Sequence, residues 1–136
     1  MLRILVVDDE EMERALERSI LEKAGHSLLF AADGETALSL CRTENLDLVI
    51  TDLAMPDFNG LRFIKELRER GLYMPLIAVS GWAIDQLDLA LEYGADVILA
   101  KPVDEQALLD AVYKAMHLPK LADRMDPWRR VGGKRG

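Results

Sequence analysis

The chain of 136 residues has a single cysteine and no long apolar segment. One cysteine cannot form an intrachain disulfide, which excludes a disulfide-stabilised secreted fold and favours a reducing, cytoplasmic environment. No segment approaches the roughly 20 apolar residues that a membrane-spanning helix needs. The first apolar run also begins too close to Met1 to leave room for a signal peptide. We therefore expect one soluble domain that does not contact a membrane.

The charge of the chain is acidic overall but unevenly distributed. The net charge is −7, whereas residues 119–136 carry six basic and two acidic side chains, so residues 1–118 are more acidic still. Such an acidic body argues against direct binding of nucleic acid, and only the basic tail points the other way. We interpret residues 1–118 as the folded domain and residues 119–136 as a basic, flexible C-terminal tail or linker.

Short apolar runs alternate with helical patterns along the chain and predict an α/β fold. The runs are almost continuously apolar, which suits parallel strands buried on both faces. The five runs span 4–7, 27–31, 48–51, 76–79 and 97–100. The expected helices span 11–24, 34–42, 60–70, 84–93 and 105–118. Met12, Leu16 and Ile20 are spaced as the core-facing stripe of the first helix. The alternation predicts a flavodoxin-like, doubly wound sheet of five parallel strands covered by five helices.

Four of the apolar runs end directly on polar residues. The first run is followed by Asp8 and Asp9, the third by Asp52, the fourth by Ser80 and the fifth by Lys101. The carboxyl ends of parallel strands meet at one edge of the sheet, and open α/β sheets bind ligands at that edge. These five side chains are therefore expected to share one crevice.

Taken singly, each of these residues has a simpler explanation, such as a helix cap for Asp8 or Ser80 and a turn for Lys101. Taken together, they indicate phosphoryl chemistry. Clustered carboxylates repel each other by about 4 kcal/mol per pair at an effective dielectric near 20, and a hard cation such as Mg²⁺ removes that repulsion. A carboxylate nucleophile, a metal, an ammonium and a hydroxyl are the components of an aspartyl-phosphate site.

At these positions the chain resembles the CheY-like receiver domain of bacterial two-component response regulators. The segment from Asp52 to Gly60, DLAMPDFNG, is similar to the phosphoacceptor motif D-x-x-M-P-x-x-[D/N]-G of that family. The acidic pair after the first run, Ser80-Gly81, the Gly94-Ala95-Asp96 segment and Lys101-Pro102 match further family elements in order. The resemblance covers about residues 2–118 and implies the strand order 2-1-3-4-5.

The resemblance implies a phosphotransfer role centred on Asp52. This residue would accept a phosphoryl group from a phosphohistidine of a sensor histidine kinase or phosphotransfer protein. Asp9, Asp52 and the backbone carbonyl of Ala54 would bind Mg²⁺ directly, and Asp8 would hold it through water. The conformational response would then control an output partner or effector domain that the sequence does not identify.

The resemblance also implies how the phosphoryl group is detected. Lys101 would pair with the acceptor carboxylate and then with a phosphoryl oxygen, while Ser80 would move to hydrogen-bond the same group. The peptide bond between Lys101 and Pro102 is expected to be cis. Ile98 occupies the position where the family usually has an aromatic switch residue. Trp82 is the substitute switch candidate, although it could equally be a partly buried cover over the site.

Two other classes of function compete with a phosphorylatable receiver. A pseudo-receiver would be a protein-binding module without phosphotransfer, but all five polar residues of the expected site are present. The hypothesis of an aspartyl-phosphate hydrolase has less support, because such enzymes carry an acid/base Asp where this chain has Ala54. A flavin protein would need a phosphate-binding loop where acidic residues stand. We therefore expect a phosphoacceptor and not a turnover enzyme. The sequence leaves dimerisation open.

Overall fold

The core of the fold is a five-stranded parallel sheet between two layers of helices. A computed structural model describes residues 1–56, 58–81 and 84–119, with the side chain of Ile84 excepted. The strands are β1 (Arg3–Val7), β2 (Ser27–Ala31), β3 (Leu48–Asp52), β4 (Leu76–Ser80) and β5 (Val97–Ala100). They pair in parallel in the order β2-β1-β3-β4-β5, which confirms the predicted flavodoxin-like sheet.

Five helices connect and cover the strands, as predicted. They are α1 (Glu11–Lys23), α2 (Gly34–Thr43), α3 (Gly60–Glu69), α4 (Ile84–Tyr93) and α5 (Glu105–His117). Side chains of Asp33, Asn59 and Asp104 accept hydrogen bonds from backbone N–H groups in the first turns of α2, α3 and α5. These caps satisfy donors that have no partner inside the helix and so fix where each helix begins.

Alternating residues of one strand enter two separate cores, which explains why the runs are continuously apolar. Ile4 and Val6 of β1 pack with side chains of α1 and α5, whereas Leu5 and Val7 pack with side chains of α2, α3 and α4. Both faces of the sheet are thus excluded from water. The single cysteine, Cys41, lies in the second of these cores, where burial raises the pKa of its thiol to about 12.

The predicted core stripe of α1 is wrong in its first two turns. Met12 is 83% exposed and Leu16 is 53% exposed, whereas Ile20 is buried. The inward positions of these turns are occupied by Glu13 and Glu17, which face the carboxyl edge of the sheet. The helix is therefore rotated relative to the apolar pattern, because its first half contacts polar side chains at that edge.

A buried arginine joins the two loops that precede β4 and β5, at the end of the sheet opposite the carboxyl edge. The Arg68 guanidinium donates to the backbone carbonyls of Gly94, Leu72 and Met74 over 2.8–3.0 Å, and to the Asp96 carboxylate at 3.3 Å. A Cβ atom at Gly94 would lie 2.7 Å from Cγ of Arg68, and the φ of Gly94 is +120°. This position therefore requires glycine, and the arginine fixes the approach to β4 and β5.

One further prediction concerns the C-terminal tail, and another concerns membrane-spanning helices. Residues 120–136 lie outside the described residues, so the division into a folded domain up to 118 and a basic tail stays a prediction. Among the described ranges, no helix is both long enough and apolar enough to cross a membrane.

Candidate functional site

The site lies at the carboxyl edge of the sheet, where β1, β3, β4 and β5 end. Asp8 follows β1, Asp52 ends β3, Ser80 ends β4 and Lys101 follows β5. The register places Asp52 beside Val79 and Ser80 beside Ala100, so adjacent strands deliver these residues to one place. The sequence predicted this shared crevice from the strand ends alone.

Lys101 is held between two carboxylates. Its Nζ donates to Oδ2 of Asp52 at 2.7 Å and also donates to Oε2 of Glu13 on α1. Burial disfavours the ammonium form, but the hydrogen bonds to Asp52 and Glu13 outweigh it and raise the pKa of Lys101. Lys101 is therefore a fixed positive charge in contact with the expected acceptor carboxylate. The Lys101–Pro102 peptide bond is cis, as predicted.

Three carboxylates converge beside this lysine. Oxygen atoms of Asp8, Glu13 and Asp52 lie within 4.8 Å of one another. Asp8 is only 2% exposed, and burial, aided by the neighbouring Glu13, raises its pKa to about 7. Such crowding of acidic oxygens is relieved by a hard divalent cation, for which carboxylate oxygens are suitable ligands. The donor set therefore fits a metal ion.

The structure separates the two neighbouring aspartates that the sequence treated as a pair. Asp8 is buried, whereas Asp9 is exposed and its carboxylate is not part of the group within 4.8 Å. The backbone N–H of Asp9 donates to Sδ of Met55 at 3.1 Å. Glu13 takes the third place in the cluster. The roles of Asp9 and of the Ala54 carbonyl as metal ligands stay predictions.

Asp52 is oriented by the loop that follows β3. Its Oδ1 accepts the backbone N–H of Ala54 at 3.1 Å, while Oδ2 faces Lys101. Gly60 packs against this loop so closely that an added Cβ would lie 2.5 Å from Cα of Leu53. A short antiparallel pair, Ala54–Met55 with Phe58–Asn59, closes the same loop and has no counterpart in the sequence prediction. The loop is thus folded tightly against the start of α3.

The switch candidates occupy different environments. Ser80 is fully buried, and its backbone carbonyl accepts the N–H of Lys101 at 3.0 Å. Ile98 is half-buried and packs against the core that α2, α3 and α4 cover. Trp82 lies outside the described residues. Ser80 and Lys101 are therefore connected through their backbones, whereas the switching roles of all three candidates stay predictions.

Sequence reasoning missed two acidic residues of α1 that belong to this edge. Glu13 contacts Lys101, and Glu17 lies one turn further along the helix. Oε2 of Glu17 is buried and has no hydrogen-bond partner among the described residues. Burial, and then the charges of Asp8 and Glu13, raise the pKa of Glu17 to about 8. The i, i+4 spacing of two acids on a helix directly after the acidic pair was the signal available in the sequence.

Glu17→Gln is expected to stabilise the domain at alkaline pH and to change it little near pH 5. The pKa of Glu17 rises from 4.5 to about 8 on folding, so stability from this group is largest below pH 4.5 and declines as pH rises towards 8. The glutamine removes that decline, and we expect a gain on the order of 1–3 kcal/mol above pH 8. Urea unfolding at pH 5 and pH 8.5 measures it, with the exposed Glu22→Gln as control. An equal gain at both pH values would contradict this account.

The described residues form a flavodoxin-like, doubly wound parallel sheet whose carboxyl edge carries a lysine and an acidic cluster that could hold a metal ion. The profile of the response regulator receiver domain family matches residues 4–113, and the chain belongs to that family. It is therefore a receiver domain of the type found in two-component response regulators.

Individual relatives agree with this assignment. The alkaline phosphatase synthesis transcriptional regulatory protein PhoP of Bacillus subtilis is 38% identical over 102 residues, which cover 74% of this chain and 42% of that protein. The sensory/regulatory protein RpfC of Xanthomonas campestris pv. campestris is 40% identical over 116 residues, covering 82% of this chain and 16% of that protein. The chain thus spans less than half the length of either curated relative.

Two solved receiver structures share the fold over nearly their whole length. A receiver domain protein from Clostridium thermocellum has a TM-score of 0.79 and 31% identity, covering 85% of this chain and 94% of its own. The chemotaxis response regulator CheY4 of Vibrio cholerae has a TM-score of 0.77 and 28% identity, covering 85% of this chain and 98% of its own.

Proposed function

We propose that this receiver accepts a phosphoryl group on Asp52 from a phosphohistidine of a sensor histidine kinase or phosphotransfer protein. The observation that carries the proposal is the 2.7 Å contact between Nζ of Lys101 and Oδ2 of Asp52, beside the buried carboxylate of Asp8. A carboxylate is a competent nucleophile when a neighbouring cation neutralises the charge that it receives.

The transfer exchanges one bond to phosphorus for another. An oxygen of Asp52 bonds to phosphorus, the bond from phosphorus to the donor imidazole nitrogen breaks, and the imidazole leaves with the electron pair. Lys101 pairs with the phosphoryl oxygens. Mg²⁺, held by Asp8, Asp9, Asp52 and the carbonyl of Ala54, would neutralise charge on the transferred group. The chain acts as a phosphoacceptor, not as an enzyme that turns over a separate substrate.

The response follows from the charge that the phosphoryl group adds. It brings about −1.5 to −2 charge and three strong hydrogen-bond acceptors to a buried edge. Ser80, fully buried at the end of β4, is the hydroxyl donor that would move towards it. The backbone bond from Lys101 to Ser80 lets both residues shift together. Trp82 and Ile98 are the proposed elements through which this shift changes the surface.

The proposed setting is a cytoplasmic signalling pathway. An output partner or an effector domain reads the switched surface, and the acidic domain itself does not bind nucleic acid directly. Curated relatives named as transcriptional regulators and as sensory proteins include receivers within longer chains, which supports an effector supplied in cis or in trans.

Incubation with acetyl phosphate and MgCl₂ tests the proposal directly. We expect the intact mass to rise by one phosphoryl group, peptide mapping to place it on the peptide with Asp52, and hydroxylamine to remove it as it does other acyl phosphates. EDTA should prevent the modification, because the acidic cluster then lacks its cation. No mass gain, or a gain on a peptide without Asp52, would contradict the proposed function.

A further inference from the structure

Glu13 is a second carboxylate partner of Lys101, in addition to the expected acceptor Asp52. Its Oε2 accepts a hydrogen bond from Lys101, whose Nζ also donates to Asp52. Glu13 and Asp52 therefore share the same ammonium group. Glu13 is not among the site residues predicted from the strand ends, because it lies in the first turn of α1 and not at the end of a strand.

The contact positions both partners. The Lys101 side chain is 21% exposed and that of Glu13 is 31% exposed, so the pair is only partly screened by solvent. The Lys101 ammonium contacts the side chain of Glu13 directly and so favours its carboxylate form. Glu13 is therefore an ionised group that shares the lysine with Asp52 before any phosphoryl group arrives.

This sharing has opposite consequences for cations and for phosphoryl groups. An additional carboxylate within 4.8 Å of Asp8 and Asp52 strengthens the attraction of the cluster for a divalent cation. The same negative charge repels a phosphoryl group on Asp52 and occupies one of the three N–H donors of Lys101. Glu13 therefore favours the metal-bound, unphosphorylated site over the phosphorylated one.

We propose that Glu13 is a positioning residue that shares Lys101 with Asp52 and sets the balance between divalent-cation binding and phosphoryl binding at this site. The proposal rests on the proposed function, since it assumes that Asp52 is the acceptor. It adds a residue from α1 that acts through Lys101 and by charge, without forming a bond to phosphorus.

The test compares Glu13→Gln with the wild-type domain in two binding measurements. Mg²⁺ affinity is measured by calorimetry without phosphoryl donor, and we expect the dissociation constant to rise roughly 5–10-fold, because one negative charge is lost. Affinity for the phosphoryl analogue beryllofluoride is measured at saturating Mg²⁺, and we expect it to tighten several-fold, because Lys101 is released and a repelling charge is removed.

The control is Glu11→Gln, which makes the same charge change at an exposed residue in the first turn of the same helix. We expect both affinities of this control to stay near wild type, since the charge at residue 11 is screened by water. Thermal unfolding of both variants verifies that the fold is kept.

The opposite signs separate the proposal from a purely structural role. A variant that merely loosened the site would weaken both ligands, and that result would overturn the proposal. Equal affinities for Glu13→Gln and Glu11→Gln would also overturn it. If either of these results is found and the wild-type domain still binds Mg²⁺ and becomes phosphorylated on Asp52, the proposed function stands and only the role of Glu13 is lost. If wild type is not phosphorylated, both are lost.

Discussion

Asp52→Asn is expected to abolish phosphoryl acceptance while leaving the domain folded. The amide retains the shape of the side chain and can still accept the N–H of Ala54 through its oxygen, which Oδ1 now accepts at 3.1 Å. It lacks the anionic oxygen that attacks phosphorus, so the mass gain with acetyl phosphate should disappear completely. Lys101 keeps its hydrogen bond to Glu13, and the acidic cluster loses one charge, so a collapse of the site is not expected.

Phosphorylation assays and thermal unfolding of the same samples measure both parts of this expectation. The matched control is Asp88→Asn, which changes an exposed aspartate on α4 in the same way and should be phosphorylated like wild type. The exposure of Asp9 makes one contrary outcome specific. If Asp52→Asn still gained a phosphoryl group on the peptide with Asp9, the acceptor would have been assigned to the wrong strand end.

Arg68→Met is expected to lower the free energy of unfolding by about 3–5 kcal/mol, because it removes one partner of a buried ion pair. Arg68 is 5% exposed, and its guanidinium donates hydrogen bonds to three backbone carbonyls and to the Asp96 carboxylate. Methionine fills a similar length but donates no hydrogen bond. Of a total stability of roughly 5–15 kcal/mol for a small domain, this loss is a large share, and it should lower Tm by roughly 10–20 °C.

Arg62→Met on the same helix is the matched control. Arg62 forms an i, i+4 pair with Glu66, and its side chain is 77% exposed. Solvent-exposed pairs of this kind contribute about 0–1 kcal/mol, so the control should unfold close to wild type. Urea titrations of the two variants give the comparison. If both variants lost the same free energy of unfolding, the buried hydrogen bonds of Arg68 would contribute no more to stability than the exposed ion pair of Arg62.

The sheet could be predicted from the sequence because its physical requirement is visible there. A strand covered on both faces needs apolar side chains at every position, and residues 4–7 show this directly. The gathering of Asp52, Ser80 and Lys101 followed from strand direction alone, since parallel strands end at the same edge. Neither conclusion needed knowledge of side-chain contacts.

The details that the sequence did not reveal depend on orientation. Hydrophobic periodicity measures where apolar residues recur, so it assigned the core face of α1 to Met12 and Leu16. The inward positions hold Glu13 and Glu17, which have no apolar signature. Likewise, nothing in an Asp-Asp pair indicates which carboxylate is buried.

The buried arginine was invisible for a different reason. Arg68 donates mainly to the backbone carbonyls of Leu72, Met74 and Gly94, and a carbonyl is present at every position in a chain. Its side-chain partner, Asp96, is 28 residues away along the sequence. Such a contact follows only from the folded arrangement of the two loops that precede β4 and β5.

The domain has two ionic clusters, one at each end of β4. The first is the Arg68–Asp96 pair, and the second is the Lys101–Asp52 pair of the acceptor site. Leu76 opens β4 and donates its N–H to Asp96, whereas Ser80 ends the same strand at the acceptor site. Leu76 and Ser80 are four residue steps apart in an extended strand, so the two clusters are separated by about 13 Å. At that distance the effects of mutations in the two clusters should be additive. Substitutions in the Arg68 cluster can therefore change the stability of the domain without changing the chemistry of the Asp52 site. Robustness and signalling chemistry can therefore diverge independently in this chain.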